Sequence, residues 1–316
     1  MTKGHPASDA AADLVTGPVR IRVPASSANL GPGFDALGLA LALHDVVTAR
    51  VIEQVAGDAS APLVVECSGE GAGSVPLDAS HLVYRAMAHG FESMGVALPG
   101  VGLACENAIP HGRGLGSSSA AIVAGLAAAR ALVQDGDERM PDDSLFGLAA
   151  ELEGHPDNVA PATYGAFTVA YGEPGWFHAV RLDVDPRIAF VTFVPDTVLE
   201  TRVARGLLPD LVPHGDAARN AGRAALMVAA LTGRPDQLFA ATEDLLHQQY
   251  RAEAMPDSAR LVASLRADGF PAVVSGAGPT VLALVRHEDV PEVSSRGPSG
   301  WRAEQLDVDP YGVQVL

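Results

Sequence analysis

The sequence predicts a two-domain α+β protein, and three observations carry that expectation. A chain of 316 residues is long enough for two cores. Segments with strand alternation are mixed with segments of helical spacing in no strict βαβ order, which argues against a doubly wound parallel sheet. Gly172 to Gly175, between two strand-like runs, marks a boundary between the halves. On this reading residues 1–17 are a disordered N-terminal extension, 18–172 the first domain and 173–316 the second.

The elements follow in order. VRIRVPA (19–25) alternates as a strand does, and ALGLALALHDVVTARVIEQ (36–54) opens as an apolar helix-or-strand run and becomes strand-like. LVVECSG (63–69) predicts a strand. SHLVYRAMAHGFESMG (80–95) has helical spacing, with Ser80 as a candidate cap and Gly95 as a candidate stop. VGLACENAIP (101–110) predicts a strand that runs into a glycine- and serine-rich loop; helices over about 117–134 and 142–153 follow, and then the turn EGHPDN. GAFTVAY (165–171), FHAVRLDV (177–184) and IAFVTFVP (188–195) read as strands. Helices are expected at 217–233, 236–250 and 258–269, and strands at PAVVSGAG (271–278) and TVLALV (280–285).

Composition narrows the function. A hydrophobic fraction of 48% and a charged fraction of 19% describe an ordinary globular protein. The net charge of −17 argues against non-specific binding to nucleic acid or an anionic membrane, because no basic excess can replace counterions. Any bound anion must be met locally. Cys67 and Cys105 lack CxxC spacing and read as reduced thiols of a cytoplasmic protein. The N-terminal stretch has no apolar signal region, and no apolar run is long enough to span a membrane. A homodimer is left open.

The most informative stretch is PHGRGLGSSSAAIVAGLAAARAL, residues 110–132. A helix prefaced by glycines and serines presents unpaired amides and a positive dipole end, a natural seat for an anion. Gly112, Gly114 and Gly116 permit close backbone approach, and Ser117, Ser118 and Ser119 offer hydroxyls. Taken alone, the loop reads sooner as a flexible turn with an ordinary serine cap than as an anion site. Lys3 is the only lysine, so a Walker-type loop and a protein-kinase strand lysine are both excluded.

Three stretches then combine: VPASSANLGPGFDALGLAL, PHGRGLGSSSAA and VSGAGPTVLALV. In this order and at these separations they resemble the three motifs of the GHMP kinases. Within that superfamily the chain is most similar to the homoserine kinases, because it carries SANLGPGFD, EGHPDNVAPA and TRVARGLLP. The resemblance spans about residues 19–285. It implies an N-terminal nucleotide-binding domain, a C-terminal ferredoxin-like domain, ATP and Mg²⁺ as cofactors, and phosphorylation of the side-chain hydroxyl of L-homoserine for threonine biosynthesis. The rivals are another small-molecule GHMP kinase, for a mevalonate-like or sugar substrate, and a non-catalytic ligand-binding member.

The resemblance also implies roles. The nucleotide loop is Pro110, Gly112, Arg113, Gly114, Leu115, Gly116, Ser117, Ser118, Ser119 and Ala120. Ser118 and Glu153 match the Mg²⁺ ligands, and Asn158 matches the residue that holds the reacting hydroxyl. Asn29 and Asp35 match the residues that recognise the amino group and backbone of homoserine. Thr201 and Arg205 fit the T-x-x-x-R pattern of the substrate loop. Gly276 and Gly278 in SGAGPT read either as letting the C-terminal half close on substrate or phosphate or as a plain hairpin turn. Arg251 matches an arginine that usually follows Glu-Pro-Tyr; here the run is Gln248-Gln249-Tyr250-Arg251. A zwitterion needs a carboxylate for its ammonium and guanidinium groups for its carboxylate, which Asp35, Arg205 and Arg251 would supply. Mevalonate kinase and similar relatives have Asp where this chain has Asn158, and an amide is no base; His155 and Asp157 could serve or be simple turn residues. The base stays unassigned.

Overall fold

The computed structural model describes residues 14–52 and 62–316. In chain order the elements are β1 (Val19–Ala28), β2 (Leu37–Ile52), β3 (Leu63–Gly69), α1 (Leu82–Ser93), β4 (Gly100–Asn107), α2 (Ser117–Ala131), α3 (Gly136–Arg139), α4 (Asp142–Glu153), α5 (Val159–Tyr164), β5 (Phe167–Glu173) and β6 (Trp176–Leu182). There follow β7 (Ile188–Val194), α6 (Thr201–Arg205), α7 (His214–Thr232), α8 (Leu238–Ala241), α9 (Gln248–Arg251), α10 (Pro256–Ala267), β8 (Ala272–Val274), β9 (Val281–Arg286), α11 (Val290–Ser294), β10 (Arg302–Leu306) and β11 (Gln314–Val315).

Two sheets organise these elements. The first has seven strands in the order β11-β1-β2-β4-β3, with the β5-β6 hairpin paired to the start of β2. All its pairs are antiparallel except β3 with β4. β2 can serve β4 and β5 because it is 16 residues long, and its register with β1 breaks between Pro24 and Ala25. Helix α2 is nearly buried along its length, as its uniformly apolar composition requires. At Gly125 an added Cβ would lie 2.4 Å from the Val83 carbonyl, so glycine permits the close crossing of α1 and α2.

The second sheet runs β10-β7-β9-β8, all antiparallel. With α7 after β7 and α11 after β9, this is the βαββαβ order of a ferredoxin-like fold. Alternation along β7 explains why every residue is buried: Ile188, Phe190 and Val194 enter the large core shared with the first sheet, whereas Ala189, Val191 and Phe193 pack on the opposite side with Leu261, Leu265 and Val293. No helix among the described residues is long and apolar enough to cross a membrane.

Several expectations are corrected. Gly172 and Gly175 belong to the turn of the β5-β6 hairpin inside the first sheet; the change of sheet comes between β6 and β7. The chain end also returns, since β11 pairs with β1 and Val308 bridges Leu41. Of the expected N-terminal extension, residues 1–13 lie outside the described residues, whereas Leu14 bridges Val133 and the Val15 amide donates to Leu132. Ser80 does not cap α1; its hydroxyl donates to Asp78 and His81 holds the cap position. The helix expected at 236–250 is broken, because Asp244 accepts the amides of Leu246, His247 and Gln248 and starts the chain afresh at α9. Of 271–278, only Ala272–Val274 is strand; the remainder is a loop.

Candidate active site

The three sequence motifs meet at one place. The Asn29 side chain donates to the Gly276 carbonyl at 2.9 Å, and the Gly276 amide donates to the Ala28 carbonyl at 3.0 Å. Ser275 Oγ bridges Ser27 Oγ at 2.8 Å and the Gly114 carbonyl at 2.6 Å. The Ser26 amide donates to Leu115, and the Thr280 amide to Arg113. Asn29 and Asp35 both adopt positive φ, at 66° and 55°, conformations that Asn and Asp tolerate better than most residues.

The serine helix opens on this junction. Its cap position is Gly116, left-handed at φ 71°, with no side-chain cap bond, and the amides of Ser117, Ser118 and Ser119 find no acceptor among the described residues. The hydroxyls turn to Glu153, the last residue of α4: Ser118 donates to one carboxylate oxygen at 2.8 Å and Ser119 to the other at 2.9 Å. A carboxylate held at a helix N-terminus is favoured by the dipole. This set of carboxylate and hydroxyl oxygens suits a hard cation such as Mg²⁺.

Two cavities flank α2's first turn. One, of about 270 Å³, is lined by residues that include Asp45, His81, Asn107, His111, Ser117 and Ala120. The other, of about 110 Å³, is polar and reaches from Ser117 and Ser118 past Glu153 and Asn158 to Thr201, Arg205, Arg251 and Gly276. The serine loop forms the partition, and Ser117 and Ser118 line both spaces.

Around the polar cleft, Asn158 Oδ1 accepts from the Ser26 hydroxyl at 2.9 Å, so its amide N–H donors remain for the cleft. His155 Nδ1 lies 2.7 Å from Asp157 and Nε2 4.0 Å from Glu153. Burial disfavours the His155 cation, but the bond to Asp157 and the charges of Asp157 and Glu153 outweigh it, and its pKa is raised. Arg251 is 1% exposed. It donates to the carbonyls of Ala204 and Gly276 and faces His247 Nδ1 at 3.2 Å, yet no carboxylate lies in ion-pair range of it among the described residues. Burial, then the charge of Arg205, lowers its pKa to about 10. Phe34 lies 5.5 Å from both guanidinium carbons.

Most of the expected residues therefore meet around the two cavities; Asp35, Pro110, Arg113, Leu115 and Ser119 line neither. Asp35 does not line the cleft; it grips Arg205 through two hydrogen bonds, at 2.6 and 3.0 Å, which tie the first motif to α6. Leu115 is core, and the Arg113 guanidinium bonds the carbonyls of His111, Pro195 and Asp196, so these two side chains hold the loop in place. Pro110 is buried just ahead of the loop. Sequence reasoning missed Ser26 and His111, which lay inside the first and second motifs, and the cavity residues Asp45 and His81, for which no local signal exists.

Comparison with known proteins gives the family. Residues 81–166 match the GHMP kinases N terminal domain and residues 226–303 the GHMP kinases C terminal domain. The homoserine kinase of Streptomyces avermitilis is 53% identical over 298 residues, covering 94% of this chain and 95% of that protein. The homoserine kinase of Leifsonia xyli subsp. xyli is 49% identical, with 96% and 93% covered. Among solved structures, a putative homoserine kinase from Listeria monocytogenes superposes with a TM-score of 0.73 at 30% identity, covering 94% of this chain and 99% of that one. The homoserine kinase of Cytophaga hutchinsonii gives 0.82 at 24% identity, covering 95% and 97%, and supports the fold. The chain thus belongs to the GHMP kinase family, within its homoserine kinase branch.

Proposed function

We propose that this protein transfers the γ-phosphoryl group of ATP to the side-chain hydroxyl of L-homoserine, forming O-phospho-L-homoserine on the way to threonine. The observation that carries the reading is the partition: open amides at the start of α2, with serine hydroxyls gathered on Glu153, stand between a larger cavity and a polar cleft. ATP is the phosphoryl donor, and Ser118 and Glu153 would hold Mg²⁺, which would supply charge neutralisation at the phosphates. The residues themselves position and stabilise, which is most of what phosphoryl transfer asks of a protein. The loop of 112–119 receives the phosphates on backbone N–H groups. Asn158, held by Ser26, donates to the acceptor hydroxyl and orients it.

Among the described residues Arg251 has no carboxylate partner of its own, and a buried guanidinium is costly without an anion. The substrate α-carboxylate fills that role, with Arg205 beside it. Asp35 serves chiefly by holding Arg205, and through it the substrate loop with Thr201. The hydroxyl proton leaves toward the phosphates or solvent, since His155 is engaged with Asp157 and held toward its cationic form. Both cysteines are free thiols, in keeping with action in the cytoplasm.

A panel of amino-acid and isoprenoid alcohols with Mg-ATP, read by ADP release, tests the assignment. Homoserine should lead the panel, and its amide, lacking the carboxylate, should be poor. Equal use of the amide, or preference for mevalonate, would overturn carboxylate recognition; no ADP release with any alcohol would favour a ligand-binding role.

A further inference from the structure

We propose that Cys67, His81 and Cys105 form a binding site for a thiophilic divalent cation of the zinc class, separate from the Glu153 carboxylate and independent of the kinase reading. The three donors come from β3, from the residue before α1, and from β4. Cys67 and Cys105 are direct partners in the one parallel strand pair of the first sheet, so their side chains share a face. His81 Nε2 lies 3.4 Å from Cys67 Sγ, and one donor atom from each residue falls within 4.8 Å of the other two. Zn–S bonds of about 2.3 Å and Zn–N bonds of about 2.0 Å at a tetrahedral angle place sulfur and nitrogen about 3.5 Å apart. The His81–Cys67 spacing already has that value, and side-chain rotation accommodates the rest.

The surroundings favour the same guest. His81 is 5% exposed, and its Nδ1 is buried with no hydrogen-bond partner among the described residues. His81 Nε2 is the ring atom that faces Cys67 Sγ, so with the ring proton on Nδ1 its lone pair is directed at the thiols and at a cation between them. Binding converts two thiols to thiolates, forms two metal–sulfur bonds and one metal–nitrogen bond, and releases two protons to solvent. A dication with two thiolates and a neutral imidazole carries no net charge, the condition under which a site this buried is tolerated. Three protein donors leave one tetrahedral position for water or an exchangeable ligand. Such an ion would tie β3 and β4 to the start of α1, and His81 is itself part of the wall of the 270 Å³ cavity.

Co²⁺ is the probe, added anaerobically to the intact protein after chelator treatment with a phosphine reductant. The expected result is one equivalent bound, with a thiolate-to-cobalt charge-transfer band and the intense visible bands of tetrahedral cobalt, both removed by Zn²⁺. Cys67→Ser should weaken Co²⁺ binding by at least about tenfold and diminish the charge-transfer band, and His81→Gln should weaken binding while keeping that band. Cys67 lies at a partly buried strand position and Cys105 at a fully buried one, so the Cys67 variant remains informative if Cys105→Ser fails to fold. Absence of the charge-transfer band in folded native protein, or unchanged Co²⁺ affinity in folded Cys67→Ser, overturns the proposal. Mg-ATP calorimetry on Cys67→Ser runs beside it; normal nucleotide affinity together with lost cobalt binding assigns the loss to the cation site alone.

Discussion

Gly116→Ala probes the joint between the serine loop and the hydroxyl-positioning amide with a single carbon. Two costs can be worked out. An L-residue at φ 71° pays about 1–2 kcal/mol for the left-handed conformation. The new Cβ would lie 2.0 Å from Ser26 Oγ and 3.1 Å from Asn158 Oδ1, so the Ser26 hydroxyl must swing away and its bond to Asn158 is lost, another ~1 kcal/mol. A total of about 2–3 kcal/mol corresponds to a Tm lower by roughly 3–5 °C in a protein of 316 residues. Ser26→Ala alone should cost only the hydrogen bond, about 1 kcal/mol. In the double variant the clash with Oγ disappears while the φ penalty stays, so the two effects should fall short of additivity by about 0.5–1 kcal/mol. Thermal and urea unfolding of the four proteins supply the cycle. Because the Cβ points at Ser26 and Asn158, KM for homoserine should rise more than KM for ATP. Strict additivity, or a Gly116→Ala protein as stable as the native one, would refute the packing argument.

Three further outcomes follow from the site. Glu153→Gln keeps the size of the side chain but removes the charge offered to Mg²⁺, so turnover should fall far more than Tm, and a magnesium titration should show a raised half-saturation; unchanged magnesium dependence would assign the metal elsewhere. Arg251→Met removes a charge-assisted contact worth about 1.5–3 kcal/mol, so kcat/KM for homoserine should drop roughly 10- to 150-fold with KM for ATP nearly constant, and the preference for homoserine over its amide should shrink. For His155, a folded pKa above the unfolded value means that the His155–Asp157 contribution to stability is complete below about pH 6.5 and fades as pH rises through the folded pKa. Imidazole NMR should place the His155 titration above that of an exposed histidine and find it lowered in Asp157→Asn; equal midpoints would show that the ion pair does not form.

Local pattern determined a good deal. β3 and α4 begin and end where the residues suggest, at 63–69 and 142–153, because each has a clean period and a bounding glycine or proline. The serine loop was legible for a similar reason: a glycine-rich run before an alanine-rich helix has local consequences for amides and dipole whatever packs around it. The 236–250 segment failed because its helical spacing competes with Asp244, whose carboxylate gathers three successive amides, and composition cannot say which wins. The hairpin at Gly172 and Gly175 looked like a boundary because a turn between strands reads the same whether the strands share a sheet or not. Tertiary structure alone decided that Asp35 holds Arg205, that Asn158 leans on Ser26, and that Cys67, Cys105 and His81 meet. Each is a contact between residues far apart in the chain, or set by strand register, and a charge or a thiol in sequence carries no record of the partner that will neutralise or adjoin it.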